Sequence, residues 1–223
     1  MLKKMYEWFH RKCSDPEERG EYSAGYWQDM VRQEAFALCR ESNGNLLEIG
    51  CGEGFFLLKL ARARCPGARL WGIDNNETRL KEAQNRCDNR GIKRVTLSLQ
   101  DASKMSFENG FFDVVVCVNV FLNMDSAETL KSVLQEIKRV CKPSGAIIFD
   151  FRNAANPLLR LKYRLARHYD NTLEGLPLTA YHPGEVESIL RSLNFKIVKR
   201  KFLGFPLKWL SPINIIEAKN NGI

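Results

Sequence analysis

From residue 45 onward, apolar residues fall in short dense runs, separated by longer stretches whose apolar positions recur three or four apart. The runs predict strands and the spaced stretches predict helices, because side chains alternate faces along a strand and recur every 3.6 residues along a helix. Strands are expected at 46–50 (LLEIG), 69–74 (RLWGID), 95–99, 112–118 (FDVVVCV) and 146–151. The fourth is a continuous β-branched run, the pattern of a strand buried on both faces. Helices are expected at 54–64, 77–89 and 127–141, the last halted by Lys142-Pro143-Ser144-Gly145. Pro183-Gly184-Glu185 opens another helix reaching residue 193, and 195–202 with 213–219 read as a closing strand pair. This β-α-β-α order predicts an open parallel sheet with helices on both faces.

The first 44 residues read as an amphipathic helical cap. Ser14-Asp15-Pro16-Glu17-Glu18 is a helix start, with proline in the first turn and acids behind it, and a second helix covers 27–40. A helical insertion, 156–170, follows the fifth strand. By helical angle Leu158, Leu159, Leu161, Tyr163, Leu165 and Ala166 share a broad apolar arc, with Arg160, Arg164 and Arg167 opposite. The expected organisation is one domain, 1–223: a cap (1–44), a cofactor-binding half (45–151) and a substrate-side half (152–223).

Composition narrows the classes. The chain has 223 residues, 44% hydrophobic and 27% charged, which are globular values. No apolar run approaches the ~18 residues of a membrane span, and the N-terminus is too polar for a signal peptide. Seven cysteines, an odd number with no C-x-x-C, read as reduced thiols of a cytoplasmic protein, with Cys117 in the core. The net charge of +8 is concentrated: 151–210 carries 11 Lys/Arg against 4 acids, +7 of the total. Such a field suits an anionic small molecule, a membrane surface or a nucleic acid.

The chemistry centres on Gly50-Cys51-Gly52-Glu53-Gly54, between the first strand and its helix. A P-loop would continue with Gly-Lys-Ser/Thr, which is absent. A dinucleotide fingerprint places its third glycine where Phe55 stands, although other residues occur there. Glu48 and Glu53 would repel a pyrophosphate, whereas a ligand with an amino group and a sulfonium would tolerate them. Asp74 ends the next strand, where a carboxylate can accept both ribose hydroxyls. Asp101 follows the third strand and could accept from an exocyclic amine. Each of Glu48, Asp74 and Asp101 could instead be a loop carboxylate capping a helix, but all three fall at successive strand ends.

Taken together, Glu48-Ile49-Gly50-Cys51-Gly52-Glu53-Gly54, Trp71-Gly72-Ile73-Asp74-Asn75, Asp101-Ala102, Phe112-Asp113-Val114-Val115 and Leu134 through Pro143-Ser144-Gly145 make the chain similar to the class I S-adenosylmethionine-dependent methyltransferases of the small-molecule type. The resemblance covers roughly 46–151. It implies a Rossmann-like fold with a seven-stranded, mostly parallel sheet whose last strand is reversed. It also implies Asp74 on the ribose, Asp101 on the adenine, and the 50–54 backbone against the methionine part. Glu48, Cys51, Asn75, Ala102 and Asn119 flank these positions and complete the cofactor side. Tyr26 is the candidate lid among Tyr22, Tyr26 and Trp27, which otherwise read as core aromatics of the cap.

Methyl transfer demands mainly alignment, and for an oxygen acceptor also a general base. Of the three histidines, His10 reads as solvent-facing and His168 lies in the basic insertion. His182 is the candidate base or substrate contact, with Tyr181 beside it; a helix cap or surface loop is the plainer alternative. Phe121 and Asn123 follow the fourth strand, where an acceptor would approach, and Arg152 at the fifth strand's end could bind a carboxylate or phosphate. The nucleic-acid amino-methyltransferases resemble Asp/Asn-Pro-Pro-aromatic where this chain reads Val118-Asn119-Val120-Phe121, which argues against a base as acceptor. No acidic cluster calls for a metal. The expected function is methyl transfer to oxygen or nitrogen of a small, anionic or lipid-linked acceptor. Alternatives are an RNA- or protein-directed methyltransferase, a non-catalytic cofactor-binding scaffold, or a nicotinamide-binding domain. Lys208-Trp209-Leu210 and the basic helix would suit a peripheral membrane contact.

Overall fold

In a computed structural model of the chain, which describes residues 25–40, 42–63, 68–166, 178–205 and 208–222, the buried run Phe112–Cys117 occupies the middle of a seven-stranded sheet. The elements in chain order are α1 (Tyr26–Cys39), β1 (Asn45–Ile49), α2 (Phe55–Arg62), β2 (Arg69–Asp74), α3 (Glu77–Asn89), β3 (Val95–Leu99), β4 (Phe112–Cys117), α4 (Ala127–Val140), β5 (Cys141–Arg152), α5 (Pro157–Ala166), α6 (Pro183–Ser192), β6 (Phe195–Leu203) and β7 (Ile213–Asn220). Single 3₁₀ turns lie at Phe121–Asn123 and Lys208–Leu210. The strand order is β3-β2-β1-β4-β5-β7-β6. β1 to β5 pair in parallel, and β7 runs antiparallel to both its neighbours. The expected mostly parallel, seven-stranded sheet with a reversed last strand is therefore present. The first expected helix (14–18 onward), Tyr22, His10, Arg167, His168, Cys13 and Cys65 lie outside the described residues.

Each face of the sheet has its own apolar layer. Leu47, Ile49, Val115 and Cys117 meet α4 and α6 on one side. Leu46, Val114 and Val116 meet α1, α2 and Leu80 of α3 on the other. The helices fold as their stripes require. In α4 the buried positions are Leu130, Val133, Leu134, Ile137 and Val140, and the Ser126 hydroxyl accepts the Thr129 N–H at 3.1 Å to cap the first turn. Asn76 caps α3 in the same way. Cys39, Cys51, Cys87, Cys117 and Cys141 are free, buried thiols.

Most strand and helix ends lie within a residue or two of expectation, and one boundary moves by five. The fifth strand begins at Cys141 rather than 146, because Lys142-Pro143-Ser144-Gly145 stays in the strand as an irregular bulge. Cys141 pairs with Phe112, then the register jumps and Ala146 pairs with Val114. Ser144 takes φ 65° and the Lys142 ammonium pairs with Asp113 at 2.8 Å. A Cβ at Gly145 would come within 2.7 Å of the Cys141 sulfur, so only glycine lets the bulge close. The stop signal ends the helix without ending the pairing.

Candidate active site

The strand order reverses between β1 and β4, and in open α/β sheets ligands bind at that switch point, beyond the strands' carboxyl ends. The turn from β1 to α2 is built there on three left-handed glycines, with φ 69° at Gly50, 50° at Gly52 and 82° at Gly54. The Gly50 and Cys51 amides both donate to the Ile73 carbonyl, at 2.8 and 3.0 Å, tying the turn to β2. A side chain at Gly50 would strike Val120 at 2.4 Å, whereas a Cβ at Gly52 would have no heavy atom within 4 Å. Gly50 is thus required by the fold, while the space beside buried Gly52 that a Cβ would enter holds no described neighbour.

Two carboxylates border the turn. Asp74 ends β2, is buried, and accepts the Gly52 N–H and the Asn76 N–H, one on each oxygen at 2.9 Å. That pair fixes the carboxylate's orientation and leaves lone pairs for a further donor. Glu48 points from β1 toward α1 and α2. Burial pushes its carboxyl well above the usual range, more than the Arg32 guanidinium and the Leu57 amide lower it; the Asp74 charge adds to the rise. Glu48 Oε2 has no hydrogen-bond partner among the described residues, so a buried carboxyl oxygen there stands ready for a polar partner. Glu53, also buried, lies 3.9 Å from the Arg79 Nε.

Asp101 lies two residues past Leu99, which pairs with Asp74, and so reaches the same end of the sheet. It is exposed, and its Oδ1 accepts the hydroxyl and amide of Ser103, which hold its carboxyl below the ordinary value. Ala102 beside it is half-buried and Asn75 is exposed next to Asp74. Burial, with the charges of Glu48 and Asp74, drives the Cys51 thiol far above its usual range, so it is inert packing under the turn.

Asn119 joins this cradle to a second compartment. It follows β4 in the left-handed conformation, φ 59°, which asparagine tolerates. Its amide donates to Asp150 Oδ1 at 2.5 Å, its side-chain nitrogen donates to the Gln28 carbonyl at 3.2 Å, and its oxygen accepts from Arg152 at 3.2 Å. Arg152 also forms a buried ion pair with Asp150. Gln28 and Arg152 both line a cavity of about 210 Å³, walled by Trp27, Leu122, Leu159, Tyr163, Ile213 and others, with Lys162 at its edge. Val120 abuts Gly50 and Asn119 bonds the lining residues Gln28 and Arg152, so the 119–120 turn lies between cradle and cavity.

The remaining candidates are dispersed. The Arg152 guanidinium lines the cavity but is committed to Asp150 and Asn119. Tyr181 is buried in the core, its hydroxyl donating to the Phe121 carbonyl at 3.3 Å, and burial pushes it up to about 12. His182 is exposed at the N-terminus of α6, where its side chain makes no cap bond. Phe121 is fully buried against Phe149, at 5.2 Å between ring centres, and Asn123 sits half-buried in the 3₁₀ turn. None of these four lines the cavity. Tyr26 is partly exposed and meets Trp27 edge-on at 5.2 Å; it is Trp27 that faces the cavity. Sequence reading missed Gln28, Leu122, Lys162 and Tyr163 as cavity walls, and Arg32 and Asp150 as partners. Asp150 was detectable, because residues i and i+2 of a strand share a face with Arg152.

Among the described residues no group of three or more His, Cys, Asp or Glu could hold a metal ion. None of their helices is long and apolar enough to cross a membrane.

Residues 40–192 match the family model described as methyltransferase domain. The chain is 33% identical over 116 residues to the ubiquinone/menaquinone biosynthesis C-methyltransferases UbiE of Burkholderia mallei and Burkholderia thailandensis. The match takes in 52% of this chain and 46% of each relative, so it spans about half the length of the curated relatives. Among solved structures, a protein from Pyrococcus horikoshii superposes with a TM-score of 0.70 at 21% identity, covering 91% of this chain and 94% of that one. A SAM-dependent methyltransferase from Aquifex aeolicus gives 0.63 at 16%, covering 96% and 97%. At such identities the two structures speak for the fold.

Proposed function

The chain belongs to the family of S-adenosylmethionine-dependent methyltransferase domains, and on that footing we propose that it methylates a small amphiphilic acceptor whose anionic head lies near Arg152 and Lys162. The observation that carries this reading is the pairing of a glycine cradle with an apolar cavity across the 119–120 turn. S-adenosylmethionine, when bound, supplies an electrophilic methyl on a positively charged sulfur. The protein's part is alignment. Asp74, oriented by two amides, would accept ribose hydroxyls, and Glu48 Oε2 offers the ligand a buried carboxyl oxygen. The apolar walls exclude water, and Arg152, paired with Asp150, and Lys162 are the charged side chains of the lining that an acceptor's head can meet.

The target atom is the finer question. Oxygen or nitrogen is the sequence expectation, whereas the matched curated relatives are C-methyltransferases, which favours carbon. An apolar cavity with charged side chains in its lining suits a ring phenol: once ionised, its oxygen makes the adjacent ring carbon nucleophilic. That carbon would take the methyl that the bound cofactor supplies, and its ring proton would pass to solvent.

Calorimetric titration with S-adenosylhomocysteine tests the cradle, and methyl transfer from labelled cofactor to alkyl-substituted phenols tests the cavity. Saturable binding and label on ring carbon are expected. Failure of the wild type to bind S-adenosylhomocysteine would overturn the function; label only on water-soluble amines would overturn the acceptor class.

A further inference from the structure

The wall of the cavity that faces solvent is apolar where a soluble surface would be polar. Leu158, Leu161 and Leu165 are 57%, 53% and 47% exposed, and nearby in the fold Phe205 is 78% and Trp209 67% exposed. The helical arc expected of α5 is therefore divided. Leu159 is buried and Tyr163 half-buried toward the cavity, while the three leucines form an outward stripe within about 60° of one another on the helix. Exposed Arg160 and Arg164 lie along one side of that stripe, Lys162 along the other, and α5 contains no acid.

The aromatic part of this surface is held in place by buried hydrogen bonds. Asn153, fully buried, donates to the carbonyls of Trp209 and Ser211, both at 3.0 Å. Asn156, also buried, caps α5 through Leu159 N at 2.6 Å and donates to the Leu210 carbonyl. Two inaccessible amides thus tie the turn that presents Trp209 to the start of the helix that presents the leucines. An exposed tryptophan so firmly placed, with Lys208 beside it, has the arrangement of an interfacial anchor.

We propose that α5, with Phe205 and the Lys208–Trp209 turn, docks on an anionic phospholipid bilayer. Leucines flanked by cations, with no acid on the helix, complement lipid headgroups above acyl chains. The cavity gives the second argument. Leu158 and Phe205 line it and are also among the most exposed apolar residues, so its mouth opens within the docking surface. Docking would set that mouth at the hydrocarbon boundary, where an acceptor with an apolar tail resides. This last consequence rests on the cavity holding the acceptor; docking itself does not.

Co-sedimentation of the full chain with vesicles tests the proposal. Binding to mixed phosphatidylcholine–phosphatidylserine vesicles is expected, weaker on phosphatidylcholine alone and weakened by salt. The combined variant Leu161→Ser, Leu165→Ser, Trp209→Ala touches no cavity wall. It should bind the mixed vesicles at least about tenfold less and bind S-adenosylhomocysteine as the wild type does. Wild type that ignores the mixed vesicles, or a folded variant that binds them equally, overturns docking. So does a wild-type dimer in equilibrium sedimentation that the variant abolishes, which would make a second copy the occupant. Should the variant fail to fold, Arg160→Glu with Arg164→Glu, both exposed, gives the same comparison. Vesicle binding without S-adenosylhomocysteine binding would leave docking standing and remove the methyltransferase reading.

Discussion

Replacing Gly52 with alanine separates the cradle's own stability from its ability to hold a ligand. The backbone there has φ +50°, and a residue with a Cβ pays about 1–2 kcal/mol in that region. Among the described residues no atom beyond the turn's own neighbours lies within 4 Å of the added methyl, so this strain is the cost expected for the free protein. For a chain of this size Tm should fall by about 2–4 °C per kcal/mol, hence about 2–8 °C. The Gly52 N–H bond to Asp74 is made by backbone and survives. The ligand loses more, because the methyl stands where a cofactor would lie against the turn: S-adenosylhomocysteine should bind at least about tenfold more weakly, about 1.4 kcal/mol. Gly50→Ala is the contrast. Its Cβ would lie 2.4 Å from Val120, so overpacking of about 1–3 kcal/mol adds to the same strain. Thermal melts and calorimetric titrations of the two variants decide the matter. A Gly52→Ala protein that binds S-adenosylhomocysteine as tightly as wild type refutes the cradle, and a Tm loss matching that of Gly50→Ala refutes the strain argument.

Glu48→Gln should change stability with pH. The native carboxyl is raised, so the protonated form is favoured in the fold; its contribution is complete below the ordinary carboxylate range and is lost as pH rises toward the native value. The Tm of Glu48→Gln should therefore gain on wild type as pH increases from that range, and a pH-independent difference would sink the reading. Arg152→Ala strands Asp150 in the core and should cost about 3–5 kcal/mol in denaturant melts. Asp150→Asn combined with Arg152→Gln leaves no unpaired charge and should cost less; an equal or larger loss refutes the ion-pair account.

Much of the fold was legible because its signals are local. β2, β3 and α3 stand at their expected bounds, since each is a short apolar run or capped helix closed by a turn residue. The cradle was legible for the same reason: three glycines within five residues demand unusual backbone, and all three adopt it. The site residues beyond β4 were harder to read. Tyr181 and His182 are adjacent in sequence, yet the chain buries one in the core and leaves the other exposed. Arg152 reads as a free cation at a strand end, but Asp150, two residues back on the same strand face, occupies it.

The sequence by itself determined the strand–turn–helix order, the glycine cradle and the carboxylates at successive strand ends, because backbone conformation and hydrophobic period are properties of neighbouring residues. Only the tertiary structure decided which groups meet. It set Asn119 between cradle and cavity and left Glu48 Oε2 without a partner among the described residues. It also divided the leucines of α5 between a cavity wall and an outward stripe. Those outcomes depend on residues dozens of positions apart, and a helical arc cannot tell which part of it a distant loop will cover.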